Sequence, residues 1–130
     1  MDATQALADL TALSAQITAA VVIDEQGAPE ASTLDDSRAV RLAGGVKELV
    51  DAASRAADRD GGLAQLEVAT AAGSVFVVRD GKRTIAATTK PEPAAGLVFY
   101  DLKTTLRAID DQPKPRPKPR ERKKGSDAAA

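Results

Sequence analysis

The chain has 130 residues, enough for one domain of ordinary size and too few for two full ones. Apolar residues make up 43%, charged residues 28% and aromatics 2%, so the core must rest on Leu, Val and Ile, with Phe76, Phe99 and Tyr100 the sole aromatics. Without Cys or His there is no disulfide framework, thiolate nucleophile, Ser–His–Asp arrangement or imidazole-bound metal, and the longest Ala/Val/Leu/Ile run, residues 19–23, falls far short of the roughly 20 apolar residues of a membrane span.

The elements follow in chain order. Residues 2–17 read as a helix with Leu7, Leu10, Leu13 and Ile17 on one face. Residues 19–23 read as a strand buried on both faces. A turn over Asp24–Gly27 places Gly27 at positive φ, and residues 28–33 return as a short or edge strand because Pro29 lacks a backbone donor. Asp35, Asp36 and Ser37 offer N-cap oxygens for a second helix reaching about residue 58, with an apolar stripe of Val40, Ala43, Val46 or Lys47, Val50, Ala53 and Ala57. Gly61 and Gly62 suit its C-terminal cap.

Three strands are predicted next. Residues 65–70 alternate, with Leu66, Val68 and Thr70 on one side. Gly73 turns the chain into residues 74–79, the most apolar strand, and Asp80-Gly81 marks a tight hairpin into residues 83–89. The prolines of residues 90–93 break the sheet and start a last helix, which puts Ala95, Phe99, Leu102, Leu106 and Ile109 on one face. The order α-β-β-α-β-β-β-α gives an α+β fold with one five-stranded antiparallel sheet between helices, and strands three, four and five as neighbours.

The net charge of −1 hides an asymmetry. Residues 111–130 hold Lys114, Arg116, Lys118, Arg120, Arg122, Lys123 and Lys124 against Asp111, Glu121 and Asp127, a net of +4, which leaves −5 for residues 1–110. Proline at every second position from Pro113 to Pro119 forbids helix and ladder and favours extended polyproline II. No large apolar residue follows Ile109, so the sequence divides into a folded body, 1–110, and a disordered basic tail. The tail suits a polyanion, either nucleic acid or anionic membrane, with the body as a dimerisation unit. It equally suits a solubilising segment, or one that docks on the acidic body.

Taken together, the opening Leu7/Leu10 helix, the run Ala20-Val-Val-Ile-Asp-Glu-Gln-Gly27, the Ala-rich helix over 39–57, the meander and a closing helix near Gly96-Leu97 resemble the roadblock/LC7 family over about residues 5–109. The resemblance implies a profilin-like sandwich and a small non-enzymatic scaffold. Such proteins form homodimers or pair with a related subunit, and bind or regulate small Ras-like GTPases or serve as light chains of motor complexes. The Pro/Lys/Arg tail is not part of the family pattern.

Two candidate surfaces follow. Gly44 and Gly45 cost a helix about 0.8–1 kcal/mol each relative to Ala, so a close helix approach at Ala43, Gly44, Lys47 and Val50 is one explanation, and packing on the chain's own sheet is the other. The family places this helix at its dimer interface, and pairs the third strand with its copy; Leu66, Val68 and Thr70 are the candidates there. Asp24, Glu25, Asp35 and Asp36 read as turn and cap residues rather than acid–base or metal groups, and Arg79, Lys82 and Arg83 as a solvated hairpin tip rather than a phosphate contact. No Gly-x-x-x-x-Gly-Lys-Ser/Thr loop occurs, so no nucleotide, cofactor, metal or small-molecule substrate is expected. With no basic N-terminal region ahead of an apolar stretch, a secretory signal is not expected, and the cytoplasm is.

Overall fold

A computed structural model of the chain describes residues 1–57 and 64–110. The elements are α1 (Ala3–Leu13), β1 (Ile17–Ile23), β2 (Pro29–Ser32), α2 (Asp36–Ala57), β3 (Ala64–Thr70), β4 (Gly73–Asp80), β5 (Arg83–Thr89) and α3 (Ala95–Asp110). The five strands form one antiparallel sheet in the order β2-β1-β5-β4-β3. The α+β order read from the sequence is therefore the observed one, with β4 and β5 as tight neighbours and both β2 and β3 at edges. No helix among the described residues is long and apolar enough to cross a membrane.

The sheet alternates its side chains between two cores. Ala20, Val22, Phe76, Val78, Ile85 and Ala87 face α1 and α3, meeting Leu7, Leu10, Val98, Leu102 and Leu106. Val21, Ile23, Val77 and Ala86 face α2, meeting Ala43, Val46 and Val50. A strand buried on both sides must read as an unbroken apolar run, which is why residues 19–23 and 75–78 look alike in sequence. With so few aromatics, the contact of Phe76 with Phe99 stands out: the rings meet edge-on with centroids 5.0 Å apart.

Local chemistry sets the element ends. Asp2 caps α1 by accepting from the Gln5 amide at 2.8 Å. The helix stops at Leu13, so Ile17 opens β1 instead of extending the helical face, and Leu13, 86% exposed, lies outside the core. Asp24 Oδ1 accepts from the amides of Gln26 and Ala28, and Gly27 adopts φ +89°. Asp35 Oδ1 accepts from the Arg38 amide at 2.9 Å, capping α2 at its third residue. These acids fill the turn and cap roles that their positions imply.

Several predicted details shift. Val40, placed on the apolar stripe of α2, is 60% exposed, and Ala57 is also exposed, while Ala39 is buried in their stead. The stripe of α3 includes Val98, and Phe99 is half-buried at its margin. The β4–β5 turn is Gly81-Lys82, because Asp80 already pairs with Arg83. Only Gly81 has positive φ, as a type II′ turn requires at its first central position. Pro91 and Pro93 precede α3 and do not start it; the chain there is held by Gln16, whose side-chain oxygen accepts from the Ala94 amide. The predicted cap at Gly61 and Gly62 and the basic tail lie outside the described residues.

Candidate functional site

β3 and α2 together build a surface open to a partner. Among the described residues β3 is an edge strand that pairs with β4 alone, so one side of its backbone is unpaired within the described sheet. α2 lies against β1 and β2 at the opposite half of the sheet. That offset leaves the β4–β3 half of this face incompletely covered. The result is an apolar groove of about 500 Å³ whose walls include Leu42, Gly45 and Leu49 of α2 and Val68 and Val75 of the sheet. Val68 is 39% exposed in it. Leu66 sits on the same side, half-buried against the α2 core, as the alternation requires. Thr70 Oγ1 donates to the Gly73 carbonyl at 2.7 Å and fixes the β3–β4 turn. Arg38 and Arg41 rim the groove, and Arg38 is ion-paired to Asp35 at 3.1 Å.

α2 distributes the residues singled out on it over different sides. Ala43 and Val50 are buried against the chain's own sheet and offer no surface to a second molecule. Lys47 lies on the opposite flank from β3. Its ammonium pairs with Asp51 at 2.9 Å, and its methylenes cover the Gly27 turn so closely that a Cβ on Gly27 would come within 2.9 Å of Lys47 Cδ. The hydrogen bond from Lys47 holds the Asp51 carboxyl below the ordinary carboxylate range. Gly44 and Gly45 both face open space, with nothing within 4 Å of an added Cβ, so packing on the chain's own sheet does not explain either. Gly45 alone lines the groove.

The groove-facing residues of α2, Leu42, Gly45 and Leu49, were not among the sequence candidates. At about 100° per residue they lie on one flank of the helix, 3 and 4 residues apart. The signal was present in the spacing, but which flank faces β3 depends on where the helix crosses the sheet.

A second, smaller cleft of about 120 Å³ lies between the Asp24–Gly27 turn, the β4–β5 hairpin and the Lys47/Asp51 flank. Asp24, Glu25, Arg79 and Lys82 contribute to it, acids and bases together. Arg83 lies outside it, bound to Glu30 through Nε at 3.0 Å and Nη2 at 3.2 Å, and so is a fixed cross-sheet pair and not a solvated tip.

Comparison with known proteins bears on this geometry. A sequence model described as "Roadblock/LC7 domain" matches residues 4–90, up to the end of β5. A solved Roadblock/LC7 domain from Streptomyces avermitilis superposes with a TM-score of 0.71 at 19% identity, over 85% of this chain and 96% of that one. Another structure of a Roadblock/LC7 domain from the same organism gives 0.64 at 20% identity, over 81% and 95%. MglB of Myxococcus xanthus gives 0.57 at 16% identity, over 83% and 89%. No curated protein matches the chain.

Proposed function

The chain belongs to the Roadblock/LC7 family, and from that premise we propose that it is a dimeric, non-enzymatic regulatory scaffold whose composite surface binds a small Ras-like GTPase. One observation carries the dimer: an apolar groove lies directly beside the free edge of a seven-residue strand. An exposed edge invites strand addition, and an adjacent apolar patch supplies the burial that backbone hydrogen bonds alone do not. In a two-fold dimer β3 pairs with its own copy, and Leu42, Gly45, Leu49 and Val68 meet their counterparts. In this reading, influence on a GTPase comes from biasing its switch segments and not from donated catalytic groups. The setting in this reading is the cytoplasm, consistent with a chain free of cysteine.

Light scattering of the full chain across a dilution series tests the dimer. A concentration-dependent doubling of mass is expected, and Val68→Asp, which brings like charges face to face, should shift the midpoint to higher concentration. A monomer at every concentration refutes the self-paired platform. The GTPase step is tested separately, by titrating the chain with small Ras-like GTPases loaded with GDP or a non-hydrolysable GTP analogue. Absence of nucleotide-dependent binding refutes that step and leaves the dimer standing.

A further inference from the structure

We propose that the cationic segment 114–120 of this chain docks back along the groove between α1 and α3, as an intramolecular contact. This groove, about 200 Å³, lies on the sheet face opposite α2 and is independent of the dimer reading. Ala6, Leu10 and Leu13 supply an apolar wall, Asp9 and Asp101 stand in its lining, and Thr104 adds a hydroxyl. Its lining contains no Lys or Arg; Met1, which carries the α-amino group, lines it as well, against two carboxylates. α1 carries no basic residue at all. The basic residues of α3, Lys103 and Arg107, are not in the lining; Lys103 lies about 160° around the helix from Asp101, and Arg107 stands one turn beyond Thr104 at the groove's margin. The groove is therefore acidic and apolar together.

The sequence that leaves α3 is cationic and proline-rich together. In polyproline II, residues three apart share a side. Lys114, Pro117 and Arg120 form one side, Pro113, Arg116 and Pro119 another, and Pro115 and Lys118 fall on the third with Glu121. Each side presents a pyrrolidine ring beside a cation, which matches a groove of leucines flanked by carboxylates. The geometry closes as well. α3 ends at Asp110, and four residues, 110–113, suffice for a reversal. The helical path from Asp110 back to Asp101 is ~14 Å at 1.5 Å per residue. An extended chain at ~3.1 Å per residue covers it in about five residues, fewer than the seven of segment 114–120. In the docked state the cations of the segment are neutralised and withheld from other polyanions.

The chain has no cysteine, so Ser126→Cys in the full chain gives a single attachment point for a nitroxide. Amide cross-peak intensities of the ¹⁵N-labelled protein are compared with the label oxidised and reduced, at low salt. The expected result is loss of intensity confined to amides of residues 6–13 and 101–108, with the groove residues 42–49 of α2 unaffected. Raising salt to 1 M, where the screening length falls to about 3 Å, should restore the intensities. Asp9→Asn with Asp101→Asn should restore them too, and the peak dispersion of the same spectra reports that this variant is folded. Equal loss on both faces of the sheet, loss confined to the α2 groove, or a pattern unchanged in the double variant overturns the proposal. So does loss in a mixture of ¹⁵N chain without the label and labelled chain without ¹⁵N, which places the contact between molecules.

Discussion

Replacing the two glycines of α2 one at a time separates fold from association. Gly44 and Gly45 each leave open space where a Cβ would stand. Alanine is therefore sterically free at both positions in a single chain, and removing a helix-interior glycine gains about 0.8–1 kcal/mol per site. Each variant should raise the melting temperature of the monomer by roughly 4 °C, since about 1 kcal/mol moves a domain of near 100 residues by that much or more. Circular dichroism is the suitable readout, as the chain has no Trp and one Tyr, and the melts belong at concentrations below the dimer midpoint. Association should respond differently. Gly45 lines the groove and Gly44 does not. A methyl group added to a close-packed contact costs about 1–3 kcal/mol, so Gly45→Ala should weaken the dimer roughly tenfold, while Gly44→Ala leaves its Kd unchanged. A dimer equally tight in all three proteins would refute close approach at Gly45. A melting temperature that rises in neither variant would refute the open-space reading of the helix.

Two further substitutions test the frame that holds this surface. Gly73 has φ +147°, and a Cβ there would stand 2.1 Å from the Thr89 carbonyl oxygen; with backbone strain and overpacking combined, Gly73→Ala should cost about 3 kcal/mol or more. Gly81, at φ +66° with open space around it, should cost about 1–2 kcal/mol as Ala, and urea midpoints that rank the two in reverse would contradict the register of the β3–β4 turn. The carboxyl of Asp35 is held below its ordinary value, first by the Arg38 amide, then by the Ser37 hydroxyl and the Arg38 side chain. Because the folded pKa is the depressed one, its stabilisation is complete above the unfolded value near pH 4 and lost as pH falls through the folded value. Melting temperatures of the parent and Asp35→Ala should therefore differ at pH 6 and converge at low pH, and a gap that persists at low pH would show that the cap acts without its charge.

The element order, the strand count, the first turn and the N-cap of α2 were legible in the residues alone. Those features rest on contacts a few residues apart: Asp24 with the amides of Gln26 and Ala28, Asp35 with the Arg38 amide, and positive φ at Gly27 and Gly81. The unbroken apolar run also marked residues 19–23 as doubly buried, because a strand covered on both faces must be apolar throughout, and residues 75–78 as the most apolar strand. Local signals were weaker where two periodicities met. Ile17 fits the helical spacing of Leu7 and Leu10, yet α1 ends at Leu13, so that Ile17 serves the sheet and Leu13 stands in solvent. Val40 fits the stripe of α2 equally well, and it is the placement of the helix over β1 and β2 that turns Ala39 inward and Val40 outward. The same placement decides the candidate surface. Ala43, Gly44, Lys47 and Val50 are neighbours on a helical wheel. Only the sheet beneath determines that Ala43 and Val50 belong to the core, that Lys47 belongs to the Gly27 turn, and that Leu42, Gly45 and Leu49 border β3. A helix carries its apolar pattern in its own sequence, whereas the flank it leaves open is fixed by the angle and offset of its crossing, which no short stretch of residues encodes.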